Sequence, residues 1–162
     1  MPKKKDIKAE EVMDQLELLD ITVLSFNIPN DSRKAYYVDD VVEYTYDIMC
    51  DIATRDDYHL KVIIEIHCHL EMDDASYIDT SFMAEYIFEL VPSAGETEGF
   101  TLDKLSEETK LSAVGVAYST TRGLMHARAA GTLLEDAILP IINPATLIES
   151  VAEVSEDESE EA

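Results

Sequence analysis

His67 and His69 stand two apart in a segment that alternates apolar and polar residues, with Glu65 and Glu71 on either side. On a strand that spacing puts both imidazoles on one face, where a His-x-His pair can supply two ligands to zinc. Zinc needs one or two more ligands from neighbouring strands, and exposed polar alternation explains the pattern without a metal, so none is expected. Ser119-Thr120-Thr121-Arg122 offers hydroxyls, yet no base, oxyanion-hole signature or Gly-x-Ser-x-Gly elbow accompanies them, and a helix face is the reading. Neither a GxxxxGK[ST] phosphate loop nor a GxGxxG fingerprint occurs, so no cofactor is implied. Asp39-Asp40, Asp56-Asp57 and Asp73-Asp74 fall at predicted turns, where aspartate hydrogen-bonds the backbone.

Cys50 and Cys68 can be tested as a disulfide by hairpin geometry. With Arg55, Asp56 and Asp57 as the turn, opposed positions sum to 112, so Cys50 faces Val62 and Cys68 faces Tyr44. That offset is roughly 20 Å along a strand at about 3.4 Å per residue, beyond bridging distance. Both are expected as reduced, buried core residues.

The elements that position these groups come in a telling order: four strand-like segments between about Leu16 and Val91, then helix. From Val42 to Ile52 the even positions are Val42, Tyr44, Tyr46, Ile48, Cys50 and Ile52, with Glu43, Thr45, Asp47 and Asp51 on the other side. Period-two alternation of this kind buries one face and wets the other. Tyr58 to Leu70 repeats it, and an even sum puts both apolar sets on one face. The first strand runs to the turn signal Ile28-Pro29-Asn30-Asp31-Ser32, and Asp73-Asp74-Ala75-Ser76 turns the chain into the fourth, Tyr77 to Val91. In that fourth strand Phe82-Met83-Ala84-Glu85-Tyr86-Ile87-Phe88 is apolar on both faces and must be covered twice, by the domain's own helix and by an oligomer partner or a bound segment.

Pro92 to Gly99 is a linker, and Thr101 to Glu108 holds a short helical turn. Leu111 to about Ala130 has helical character with many small residues; Gly115 and Gly123 point to close backbone approach or a local break. Gly131 supplies a stop, and Leu139-Pro140-Ile141-Ile142-Asn143-Pro144 leads into a last helix from Ala145 to about Val154. The predicted fold class is α+β: a four-stranded antiparallel sheet followed by C-terminal helices, with a flexible mixed-charge arm expected over 1–11, one domain over 12–152 and a disordered acidic tail over 153–162.

At 162 residues the chain can bury one core, though a single sheet leaves a face open and makes a homo-oligomer an expectation. Lys and Arg number 12 against 35 Asp and Glu, for a formal charge of −23, which repels nucleic acid and favours basic partners. Acidic residues interrupt what would be the apolar run of a signal peptide after Met1-Pro2-Lys3-Lys4-Lys5, and no stretch reaches the roughly 18 uncharged residues of a membrane span, so a cytoplasmic location is expected.

Ser25-Phe26-Asn27-Ile28-Pro29-Asn30 resembles the end of the first strand in the SecB export chaperones. Phe82-Met83-Ala84-Glu85 is similar to that family's Phe-x-x-Glu, and Gly131-Thr132 with Leu139-Pro140-Ile141 is similar to its Gly-Thr turn and Pro-bracketed segment. These motifs occur in the family's order and span about Leu19 to Ile148. The resemblance implies an ATP-independent holdase, assembled as a dimer of dimers, that holds unfolded or precursor polypeptides on apolar grooves and docks the translocase motor ATPase. Asn27 and Val23 stand where the family carries acidic residues of the motor-docking surface, Leu124-Met125-His126-Ala127-Arg128 replaces an aromatic stretch, and Asn143-Pro144 replaces Asn-Phe-Asp. Holding is therefore expected more firmly than export.

Client contact is assigned to Phe82, Tyr86 and Phe88 of the fourth strand with Ile141, Ile142 and Leu147 after Gly131. The alternatives are an acidic scaffold, or a dedicated chaperone for one partner such as an antitoxin. An acyl-thioester hydrolase is a further rival, against which the element order speaks because that fold inserts its long helix among the strands.

Overall fold

The computed structural model describes residues 15–29, 36–91 and 101–148. The expected N-terminal arm, the acidic tail, the Pro92 to Gly99 linker, most of the first turn and the end of the last helix lie outside the described residues. Strands β1 (Gln15–Asn27), β2 (Val41–Thr54), β3 (His59–Met72) and β4 (Tyr77–Val91) form one antiparallel sheet in the order β1-β4-β3-β2, followed by helix α1 (Glu107–Ala129). The fold is α+β, with every strand preceding the helix.

Alternation sets the two faces. Even positions of β3 and β4, from Leu60 to Met72 and from Thr80 to Leu90, are buried, and α1 covers them with Ala113, Val114, Ala117, Tyr118, Thr121 and Met125. Phe26 of β1 meets Phe82 of β4 edge to face, with ring centroids 5.8 Å apart, a geometry that suits the aromatic quadrupoles. Between α1 and β4 one polar pair is enclosed. Thr121 Oγ1 donates to the Ala117 carbonyl at 2.9 Å, so its only proton is committed and the Tyr86 hydroxyl must be the donor in their 2.6 Å contact.

The β2–β3 register differs from the sequence reading. Opposed positions sum to 114, placing Cys50 opposite Ile64 and Cys68 opposite Tyr46. The cause is the turn: the Asp56 carboxylate accepts the Tyr58 and His59 amides, and the Arg55 amide closes on the His59 carbonyl at 2.8 Å. Because the shift is even, each side chain keeps its predicted face. The cysteines remain four residues out of register, roughly 14 Å at about 3.4 Å per residue, and both are buried and free.

Helix α1 begins four residues earlier than its apolar pattern suggested. The Ser106 hydroxyl accepts the Thr109 amide as an N-cap, and Glu107 and Glu108 occupy the positive end of the helix dipole. The helix is unbroken through both glycines. At Gly115 the need is close approach, since a Cβ would lie 3.3 Å from Pro144 Cγ, whereas nothing lies within 4 Å of the same point on Gly123. Gly131, at φ 75°, stops the helix as predicted.

The β3–β4 turn carries strain. Ala75 has φ 61°, a region that costs a residue with a Cβ about 1–2 kcal/mol. Ala75→Gly relieves this and gives part of it back through a freer unfolded chain, for a net gain of about 0.5–1 kcal/mol. The expected observation is a higher urea midpoint at unchanged m-value; an unaltered or lower midpoint would show that the turn is not strained.

Candidate client-binding groove

A cavity of about 1100 Å³ opens at one end of the sheet, where four separate segments meet. Ile28 and Pro29 follow β1, Tyr36, Tyr37, Val38 and Asp39 lead into β2, Ser76 to Asp79 open β4, and Gly131 to Leu133 with Glu135 follow α1. Its walls are fixed from below. The Asp73 amide donates to the Asp40 carbonyl at 2.8 Å, joining the β3–β4 turn to the start of β2, and Tyr36 Oη lies 2.9 Å from Ser76 Oγ. Opposite them, Tyr44 donates to the Leu133 carbonyl at 2.9 Å and Tyr118 to the Pro140 carbonyl at 2.8 Å, fastening the irregular segment after α1 to sheet and helix. Burial raises the pKa of Tyr44 and Tyr118, so both latches stay protonated donors.

The cavity is aromatic and open. Tyr37 and Tyr77 are each 70% exposed, Tyr36 is half-buried beside them, and Ile28, Val38, Ile78 and Leu133 add aliphatic surface. Asp39, Asp79 and Glu135 line it with carboxylates. Exposed aromatic rings of this kind suit apolar groups, and the neighbouring carboxylates suit basic ones.

The sequence-assigned contacts lie elsewhere. Phe82 and Tyr86 are 0% exposed and Phe88 is 2% exposed, all beneath α1. Their strand lies between β1 and β3, so the apolar excess that looked like a client surface serves the chain's own core on one face. Of the others, Leu147 is buried, Ile142 is half-buried against the core, and Ile141 is 88% exposed. None of the six lines the cavity. Sequence reading passed over Tyr36, Tyr37 and Tyr77; the signal was present as three tyrosines at the edges of turn signals, where solvated residues are the norm.

The groups weighed for catalysis are occupied structurally. Ser119 is an exposed helix residue, Thr120 Oγ1 donates to the Val116 carbonyl, and Thr121 is in the core pair. Asp40, Asp56 and Asp74 accept turn amides, and those to Tyr58 and His59, with the His59 ring, hold Asp56 below the usual carboxylate range. Burial pushes the Cys50 thiol to about 12 and the Cys68 thiol to about 11, far from a reactive thiolate. His67 pairs with Glu65 and His69 with two aspartates, and among the described residues no group of three or more His, Cys, Asp or Glu side chains could hold a metal ion. Nor does any described helix have the length and apolarity to cross a membrane.

The fold is that of SecB-like chaperones. The chain is similar to Rv1957, a SecB-like chaperone of Mycobacterium tuberculosis solved with a ChAD peptide from the antitoxin Rv1956 HigA1; the match has a TM-score of 0.55 at 18% identity and covers 78% of this chain and 89% of that one. A Streptococcus agalactiae protein of unknown function aligns at a TM-score of 0.37 and 8% identity over 72% of this chain and 88% of its own. No protein-family model and no curated protein matches the sequence.

Proposed function

We propose that the protein is an ATP-independent holdase that captures extended apolar segments of unfolded or precursor polypeptides in the tyrosine-lined cavity. The observation that carries this reading is the open aromatic cavity at the end of a sheet with the SecB-like fold. Its formal charge of −23 keeps such a surface from self-association while drawing basic clients. Exposed Ile141, with Ile142 beside it, extends the apolar surface along the segment after α1, and Leu147 anchors that segment. In this reading the protein is not an enzyme and acts in the cytoplasm.

Homo-oligomerisation as a dimer of dimers belongs to the same proposal. β1 and β2 are both sheet edges, and the outward side of α1 presents Ser112, Val116, Ser119, Gly123 and Ala127, small enough for another helix to approach closely. Docking to a translocase motor has weaker support. Val23 packs against the core, and Asn27 is exposed without charge. A dedicated chaperone for one partner such as an antitoxin is the second reading, favoured by the antitoxin peptide bound to the Rv1957 neighbour.

The test is light scattering as a chemically unfolded protein is diluted into buffer with and without this one, lacking ATP. Suppression near stoichiometric amounts is the expected result, and it should persist as salt rises because apolar capture is not screened. No suppression of general clients would discard the holdase and leave the dedicated-partner reading; suppression that vanishes with salt would favour the acidic scaffold.

A further inference from the structure

On the sheet face opposite α1, His69 of β3 lies between carboxylates from the strands on either side. Its Nδ1 is 2.6 Å from Asp79 Oδ1 on β4, and its Nε2 is 3.0 Å from Asp47 Oδ2 on β2. A neutral imidazole has one N–H, and an ionised carboxylate can only accept. Two carboxylates can be satisfied together only by an imidazolium, so the arrangement is built for the protonated ring. The three side chains join β2 to β4 across β3, although β2 hydrogen-bonds to β3 alone.

We propose that His69, clamped between Asp47 and Asp79, is a proton-operated lock that holds edge strand β2 to the sheet and sets the charge of the sheet face opposite α1. The surroundings make proton loss consequential. Glu43 of β2 and Glu71 of β3 are directly opposed neighbours, and both line a small cavity with His69, Asp79 and the Tyr77 phenol of β4. The neighbouring imidazole, His67, is engaged by Glu65 at 2.8 Å and stands opposite Asp47 in the β2–β3 register. From the other side of the sheet α1 covers only the even positions. Deprotonation therefore turns one aspartate contact into a carboxylate facing a nitrogen lone pair, within a cluster that is already anionic.

The hydrogen bond that His69 donates to Asp79 first, then that to Asp47, holds its pKa above the ordinary imidazole value. The folded protein thus keeps this proton to higher pH than the unfolded chain. The contribution of the lock is whole below the unfolded pKa and is lost as pH rises through the folded one.

Imidazole nitrogen NMR and amide hydrogen exchange on the full chain test this. His69 is expected to carry protons on both nitrogens up to a titration midpoint above the ordinary imidazole value, and that midpoint should fall in Asp47→Asn/Asp79→Asn. Exchange along β2, corrected for its intrinsic pH dependence, should rise severalfold through the wild-type midpoint and stay level there in the variant. Equal midpoints in the two proteins, or β2 exchange indifferent to the His69 proton, would overturn the proposal. If circular dichroism shows the double variant unfolded, each single aspartate variant supports the same comparison. Neither readout involves clients, so the result is independent of the holdase reading.

Discussion

Phe82→Ala will lower the unfolding free energy by about 3–5 kcal/mol, the cost of deleting a fully buried aromatic ring and leaving a cavity behind. The ring is enclosed by β1, β3 and α1, and Phe26 loses its edge-to-face partner with it. Against a total stability of roughly 5–15 kcal/mol for a domain of this size, such a loss leaves the fold marginal. Tyr86→Ser/Phe88→Ser should be more severe, because it deletes two buried rings and the hydrogen bond that Thr121 Oγ1 accepts from Tyr86. Urea denaturation followed by circular dichroism measures both. A fall below about 1 kcal/mol for Phe82→Ala would mean that the helix is not closed over the sheet, and the fourth-strand aromatics would then be available to clients after all.

Tyr37→Ser/Tyr77→Ser should do the opposite, weakening the capture of an unfolded client while leaving stability within about 0.5 kcal/mol. Both rings are largely in solvent, so folding loses little, but each is a rigid aromatic surface of the kind that dominates binding. A loss of roughly tenfold or more in affinity is expected, on the order of 1.4 kcal/mol or above. Fluorescence anisotropy of a labelled unfolded client is the direct measurement. Unchanged affinity in a well-folded variant would remove the cavity as the client site and return attention to Ile141 and Ile142.

The two variant sets separate what the sequence discloses from what it hides. Alternation from Val42 to Ile52 and from Tyr58 to Leu70 defined the buried face, because side-chain direction depends only on parity; a register wrong by two residues left that result intact. Helix α1 was legible in its body but not at its start, which depends on the Ser106 cap rather than on hydrophobic period. The role of β4 depended on strand order. An apolar run on both faces reads the same for a central strand as for a strand awaiting a partner, and only the β1-β4-β3-β2 arrangement distinguishes them. The cavity was hidden for a different reason: its walls come from four short segments distant in sequence, and no single segment has a pattern of its own.

The same strand order has a consequence for how the chain comes to be folded. β2, β3 and β4 are successive neighbours joined by tight turns and can zip together from local contacts, whereas β1 is made first and pairs only with β4. Closing that long loop carries the largest entropic cost in the sheet and makes β1 the last strand to dock. Until β4 is made, the nascent polypeptide therefore trails a strand with Leu16, Leu18, Val23 and Phe26 uncovered. If this protein shields others during their maturation, its own N-terminal strand passes through the same exposed condition first.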